Sequence, residues 1–167
     1  AGIMLTALGV AVTLAQQPAD MVALLTLAAL VAGGQALAFQ AEAGAVSVGA
    51  VGALAGAALI GGGAAVVLAF AAVLADVVIR RPPVYTSIYN LGVRTASGLA
   101  AAFVLSFGPG SVPTVSAVAF GVAAGAVYYL VNTSLLTLAI AAEEGRGLLQ
   151  VWRKSFAWLL PHYLAYG

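Results

Sequence analysis

Long apolar stretches separated by short polar breaks follow one another along the whole chain. Because a membrane-spanning helix needs roughly 20 apolar residues, 167 residues suffice for six or seven such helices joined by very short loops. The breaks place the predicted helices at about 2–15, 21–39, 44–60, 64–79, 84–107, 114–142 and 155–167, and we expect the last one to be incomplete. Residues 1–167 are therefore predicted to form a single transmembrane domain, an all-α polytopic bundle of six to seven helices.

Two of these breaks carry strong stop signals. After the fourth predicted helix, two arginines precede Pro82 and Pro83, which lack backbone N–H donors and cannot continue a helix. The uncharged turn at 108–113 contains two further prolines and two glycines. Asp76, four residues before Arg80, is predicted to form a local ion pair with it, with neutralisation of Arg94 as the alternative role.

The basic residues predict the orientation of the bundle. Five of the six lie in only two predicted loops: Arg80, Arg81, Arg146, Arg153 and Lys154. The positive-inside rule places both loops in the cytoplasm, and the even number of predicted spans between them agrees with that rule. Counting back through the helices makes the amino terminus cytoplasmic as well. We expect a multi-pass protein of the plasma (inner) membrane, with Trp152 and Trp158 at its inner interface.

Composition excludes several functions. Hydrophobic residues make up 63% of the chain and charged residues 7%, which no water-soluble fold of this length tolerates. With no cysteine and one histidine, the sequence predicts no catalytic residue, metal site or cofactor. His162 admits three interpretations, a proton switch, a haem ligand or an interfacial anchor, and we favour the anchor. The expected partners are lipid and a small ligand, not nucleic acid.

Small residues recur at four-residue spacing on several predicted helices. These ridges contain Gly52 with Gly56, Gly121 with Gly125, and Ala7 with Ala11 and Ala15. Such residues let helix backbones approach closely in a membrane, where no hydrophobic effect drives helix association. Packing is therefore the simplest interpretation of the ridges.

A polar stripe lies on the fifth predicted helix. Its members are spaced by four, four and three positions, which aligns them on one helical face: Thr86, Asn90, Arg94 and Ser97. Arg94 lies 13 positions beyond Arg81, which is roughly 15–20 Å into the membrane at helical rise. Because an arginine at mid-membrane costs about 2.5–3.5 kcal/mol on insertion scales, Arg94 should face the bundle interior and hold a partner.

The sixth predicted helix offers a matching polar set that includes Asn132. Counted from the same cytoplasmic side, Asn132 and Arg94 reach a similar depth and are able to meet. We hypothesise that a small ligand with an anionic or carbonyl group binds between the two helices, since a fixed guanidinium suits such groups. The candidate ligand-binding residues are Asn90, Arg94, Ser97, Tyr128, Tyr129 and Asn132. The alternative is an internal polar network that only locks these helices together.

Several short motifs resemble a known family. They are Val131-Asn132-Thr133-Ser134-Leu135-Leu136, Glu144-Gly145-Arg146, Val151-Trp152-Arg153, Trp158-Leu159-Leu160-Pro161-His162-Tyr163-Leu164, the Arg-Arg-Pro-Pro-Val-Tyr run at 80–85, and Ile88-Tyr89-Asn90 with Ser97. Residues 76–167 look like the amino-terminal membrane domain of bacterial HD-GYP proteins, in which a multi-helix region precedes a cytoplasmic cyclic-di-GMP phosphodiesterase. The resemblance implies a sensory input domain that relays to a cytoplasmic signalling domain, in cis or as a homodimer. The His-Asp motif of the enzyme is absent from this sequence, so the resemblance supplies no catalytic residue.

A second resemblance gives an alternative function. The helix pattern, with its early helices rich in alanine and glycine, is similar to the substrate-binding S components of energy-coupling-factor vitamin transporters. Those proteins dock their transport subunit through an Ala-x-x-x-Ala ridge on the first helix, which Ala7, Ala11 and Ala15 match. This resemblance implies an S-component-like bundle that binds a vitamin and releases it inside the cell.

Overall fold

A computed structural model describes residues 21–36, 39–41, 44–46, 49–109 and 115–166 of the chain. The first predicted helix at 2–15, and with it the alanine ridge, lies outside the described residues. The described part is helical, as predicted, apart from one short hairpin. Its elements in chain order are α1 (Met21–Ala36), β1 (Phe39–Ala41), β2 (Gly44–Val46), α2 (Gly49–Leu59), α3 (Gly62–Arg80), α4 (Val84–Leu105), α5 (Val115–Glu144), α6 (Leu148–Ser155), a 3₁₀ turn (Ala157–Leu159) and α7 (Leu160–Tyr166).

Three of these helices, α3, α4 and α5, are long and apolar enough to cross a membrane. They contain 19, 22 and 30 residues and correspond to the predicted helices at 64–79, 84–107 and 114–142. The shorter apolar helices α1 and α2 contain 16 and 11 residues. At 1.5 Å per residue, α2 rises about 16 Å, which is roughly half of a hydrocarbon core. The count of six to seven spans therefore stays a prediction.

The boundary between α3 and α4 confirms the predicted stop signal. Helix α3 ends at Arg80 and α4 begins at Val84, so the two prolines lie between the helices. Arg81 caps α3 in the left-handed conformation, with φ 49° and ψ 49°, and its N–H donates to the carbonyl of Val77. The predicted ion pair between Asp76 and Arg80 is also confirmed.

The predicted ends of the second and third helices are wrong. Helix α1 ends at Ala36 rather than at residue 39, and α2 begins at Gly49 rather than at residue 44. The residues between them form an antiparallel pair in which Phe39 lies opposite Val46 and Ala41 opposite Gly44. Phenylalanine and valine favour extended backbone, whereas glycine weakens a helix. In an alanine-rich stretch with little periodicity, these local preferences decide the structure.

The start of the seventh predicted helix, at residue 155, is also wrong. Ser155 ends the separate helix α6, and a 3₁₀ turn precedes α7, which begins at Leu160. Pro161 is then the second residue of α7. Because a proline inside a helix clashes with the carbonyl four residues earlier, it is tolerated in the first turn, and the helix begins next to it.

The helices pack both against their neighbours in the chain and against helices one further along. Helix α3 contacts α1, α2 and α4, and α5 packs along α4 on one side and against α6 and α7 on the other. Two of the predicted small-residue positions, Gly52 and Gly56, are buried. A Cβ at Gly52 would meet the side chain of Val31, and one at Gly56 would meet Leu68. The packing role predicted for this pair is confirmed.

Candidate functional site

The polar stripe lies along α4, beside its most buried face. Ser97 is fully buried, while Thr86, Asn90 and Arg94 are half-buried. Arg94 is ten residues from the start of the 22-residue helix α4, so it lies about 15 Å along the helix and close to its middle. The structure thus places a charged side chain midway along a helix that is apolar enough to span a membrane.

A hydrogen bond between the helices sets the depth of Arg94 against α5. The Tyr89 hydroxyl on α4 donates to the backbone carbonyl of Leu135 on α5. The two helices run in opposite directions at this contact, so five residues forward from Tyr89 correspond to five residues back from Leu135. Arg94 therefore lies near the level of residue 130, between Tyr128 and Asn132. The predicted similarity in depth of Arg94 and Asn132 agrees with this register.

Arg94 acts electrostatically on Tyr128, which is 2% exposed on α5. Within the described residues, the guanidinium of Arg94 has neither an ion pair nor a hydrogen bond. The side-chain amides of Asn90 and Asn132 likewise make no hydrogen bond in that part of the chain. Three polar side chains at similar depth therefore keep free hydrogen-bonding groups. This arrangement has donors available for a ligand.

Two other predicted site residues already use their hydroxyls. Ser97 donates to the carbonyl of Val93 in its own helix at 2.7 Å. Tyr129, which is fully buried, donates to the carbonyl of Phe156 at 3.0 Å. Both hydrogen bonds stabilise the protein itself. Of the six candidates, these two therefore have the least hydrogen-bonding capacity left for a ligand.

An aromatic cluster connects this region to the end of the chain. The ring of Tyr163 on α7 stacks on Tyr128, with centroids 5.8 Å apart and planes 21° apart. It also lies 5.4 Å from the ring of Tyr129, which meets Trp152 on α6 at 6.5 Å. Tyr128 therefore lies near Arg94 and also packs against α7.

Sequence reasoning missed Tyr89 and Tyr163 as functional residues. Tyr89 lies one position before the polar stripe, and its hydroxyl bonds to a backbone carbonyl, which no side-chain pattern reveals. Tyr163 belongs to a short helix whose return against α5 depends on the turns around α6. The only available signal was its aromatic character in the seventh predicted helix, next to His162, for which an interfacial role was favoured.

A third missed group is Thr95, next to Arg94 on α4. Its side chain is fully buried, and its hydroxyl has no hydrogen-bond partner among the described residues. His162 was predicted to be an interfacial anchor. It is exposed, and its ring meets the edge of Trp158 at 5.9 Å.

No protein-family model, curated protein or solved structure matches this chain.

Proposed function

We propose that this chain is a membrane-embedded input domain of a bacterial signalling protein, which binds a small ligand between α4 and α5. The observation that carries the proposal is the guanidinium of Arg94 midway along α4, which has no ion pair or hydrogen bond with any described residue. A charge at the centre of a bilayer costs about 2.5–3.5 kcal/mol on insertion scales. A residue that costs so much and bonds to no other helix in the described part of the chain is best explained by a ligand that it binds.

The ligand is expected to carry a carboxylate, a phosphate or a strongly polar carbonyl group. A guanidinium presents a planar set of donors that matches such oxygens, and the half-buried position of Arg94 strengthens the attraction. Asn90 and Asn132 supply neutral donors and acceptors on either side of it. The alternative of a polar network between the helices is less favoured, because these three side chains make no hydrogen bonds to one another.

Signalling requires that the ligand alters another part of the protein, and Tyr128 supplies the connection. A ligand that binds Arg94 lies close to the buried ring of Tyr128. Tyr128 stacks on Tyr163, so a shift of its ring moves α7 relative to α5. A ligand that binds more tightly to one arrangement of these helices shifts the population toward it. The output then passes to a cytoplasmic domain, for which the HD-GYP resemblance suggests a phosphodiesterase.

The same proposal includes the membrane topology. Three helices are suited to span a bilayer, and the basic residues at 80–81 and 146–154 favour the cytoplasm for the α3–α4 turn and for α6. The amino terminus is then cytoplasmic in the plasma membrane, and the bundle has six to seven spans.

Replacing Arg94 with leucine tests ligand binding. We expect small-molecule mass spectrometry of gently extracted wild-type protein to find a bound anionic compound, and the Arg94→Leu variant to lack it. After the compound is removed from both proteins, the variant should also be more stable than the wild type by about 1–3 kcal/mol, because the intramembrane charge that the ligand would neutralise is gone. Arg81→Leu is the matched control, since it removes an equal charge from the exposed α3–α4 turn and should retain the compound. A variant that keeps the compound, or that becomes less stable, contradicts the pocket.

The reading frame that encodes this chain tests the signalling role. We expect it to continue after α7 into a phosphohydrolase or another signalling domain. A stop codon soon after α7, together with co-purification of a transport subunit, would instead support the vitamin-transporter S component.

A further inference from the structure

An open cavity of about 790 Å³ lies where α5 ends and α6 turns back toward it. It is lined by Ile140, Glu143, Glu144, Arg146, Gln150, Val151, Lys154 and Ser155. We call it the α5–α6 cavity. It lies at the predicted cytoplasmic interface and shares no residue with the site between α4 and α5. It does not depend on a ligand at Arg94, but it rests on the membrane topology of the proposed function.

The two walls of the cavity are helical faces. Residues 140, 143 and 144 form one face at the end of α5, and residues 150, 151, 154 and 155 form one face of α6. Gly145 makes the reversal possible, because its φ of 66° is the left-handed conformation that glycine adopts without steric cost. Val151 is 4% exposed and fixes α6 against the bundle. The cavity is therefore a product of the turn and of α6 packing.

The charges in the cavity are of both signs and are arranged on opposite walls. Glu144 on α5 forms an ion pair with Arg146 at 3.0 Å. Glu143 on the same wall and Lys154 on the other wall have no ion pair with any described residue. The cavity thus presents one free carboxylate and one free ammonium on opposite sides. A ligand that complements both must carry a positive and a negative group.

The apolar surface next to the cavity indicates what the rest of such a ligand contains. Leu148 and Leu149, in the first turn of α6, are 50% and 64% exposed. Arg153 and Lys154 are exposed at the other end of the same eight-residue helix. A short helix with exposed leucines and basic residues lies in the plane of a membrane interface, with its leucines among the acyl chains. Acyl chains and headgroups therefore both reach this part of the protein.

We propose that the α5–α6 cavity binds the headgroup of a phospholipid that carries a primary ammonium beside its phosphate. Lys154 and the neighbouring Gln150 and Ser155 meet the phosphate, and Glu143 accepts hydrogen bonds from the ammonium. A quaternary ammonium lacks N–H donors and an anionic glycerol headgroup lacks the positive charge, so both should bind more weakly. The exposed leucines of α6 contact the acyl chains of the same lipid.

Tryptophan quenching by brominated lipids tests this proposal. The full chain has two tryptophans, so the Trp158→Phe background leaves Trp152 on α6 as the only reporter. This protein is reconstituted in phosphatidylcholine vesicles that contain a minor fraction of brominated phosphatidylethanolamine or, separately, brominated phosphatidylglycerol. We expect the ethanolamine lipid to be enriched roughly threefold over the glycerol lipid, the size of effect that exposed ion pairs produce. Equal or stronger quenching by the glycerol lipid would overturn the proposal, because it indicates a general attraction to basic residues.

Three substitutions of exposed residues locate the effect. Glu143→Gln should remove the preference for ethanolamine over choline lipid, and Lys154→Gln should lower binding of both. Arg153→Gln is the matched control for Lys154→Gln, because Arg153 is its neighbour on α6 and does not line the cavity. An effect of Arg153→Gln as large as that of Lys154→Gln would count against the cavity.

A competition experiment separates the lipid from a soluble ligand of the same chemistry. Soluble phosphoethanolamine added to the vesicles should leave the quenching by ethanolamine lipid unchanged, because it lacks the chains that contact Leu148 and Leu149. Displacement of the lipid by phosphoethanolamine would overturn the lipid as the occupant.

Discussion

The helices before α5 and the helices after it are joined to their neighbours in different ways. Among α1 to α4, the contacts are steric: a Cβ at Gly98 on α4 would lie 2.9 Å from the Cβ of Ala65 on α3. Around α5, the joining contacts are directional. The Tyr129 hydroxyl donates to the carbonyl of Phe156, and Tyr163 stacks on Tyr128.

The steric contacts make α1 to α4 a rigid scaffold, whereas the directional contacts around α5 connect the candidate site to α7. Close contacts between small residues leave no room to shift, so helices packed in this way keep one arrangement. Hydrogen bonds to backbone carbonyls and ring stacks depend on angle, so a small rotation weakens them and a new partner is able to replace them. The region that connects the candidate site to α7 is built from the second kind of contact. The substitutions below disrupt each kind in turn.

Truncation of Tyr129 should have the largest effect. Tyr129→Ala removes a fully buried ring and its bond to the carbonyl of Phe156, and should lower the free energy of unfolding by about 3–5 kcal/mol. Unfolding in mixed micelles, followed by far-ultraviolet circular dichroism against the fraction of denaturing detergent, gives this value.

Tyr129→Phe is the control for the ring, since it removes only the hydroxyl. It should cost about 1–3 kcal/mol, because the carbonyl of Phe156 loses its side-chain donor. If Tyr129→Phe is as stable as the wild type, the hydroxyl contributes little and the directional view of this region is wrong.

Enlarging Gly98 should have the next largest effect. Gly98→Leu forces α3 and α4 apart at Ala65, whose Cβ has no rotamer to adopt, and should cost about 1–3 kcal/mol in the same assay. Gly33→Leu is the matched control on α1, because a Cβ there meets nothing within 4 Å. It should change stability by less than about 1 kcal/mol and in the stabilising direction. Equal losses of stability from both substitutions would show that the loss is not caused by close packing at Gly98.

The ion pair on α3 should matter least, although it is directional. Asp76 and Arg80 belong to the same helix, four residues apart, so their bond joins no two helices. Asp76→Asn should therefore cost only about 0.3–0.5 kcal/mol, and the loss should shrink at high salt. A loss above 1 kcal/mol, measured as a shift in the same detergent titration, would mean that Asp76 has a second partner elsewhere in the bundle.

The sequence predicted those parts of the fold that depend on strong local signals. The Arg80 to Pro83 boundary is one, because proline excludes a continued helix whatever surrounds it. The close packing at Gly52 and Gly56 is another, since a Cβ at either position would meet the side chain of a neighbouring helix. The hairpin at Phe39–Ala41 and Gly44–Val46 was missed because alanine and glycine carry too weak a pattern to separate strand from helix.

Less of the candidate site was predictable. Helical spacing grouped Asn90 with Arg94, and depth matched Asn132 to them, because both depend only on helix geometry. The stack of Tyr163 on Tyr128 depends on how α6 and α7 turn back, which is a tertiary effect. The spacing also included Ser97 as a ligand residue, although its hydroxyl bonds to its own helix, as serine commonly does within a helix.

The length of α5 has a mechanical consequence. Its 30 residues rise about 45 Å, whereas a hydrocarbon core is about 30 Å thick. To lie wholly inside the core, α5 would need a tilt of about 48°, beyond the roughly 0–40° that spanning helices adopt. A membrane-spanning α5 therefore extends out of the core, and bilayer thickness decides how far. A thicker bilayer covers more of α5 and brings α6 closer to the headgroups. A thinner bilayer leaves α6 further out in the water.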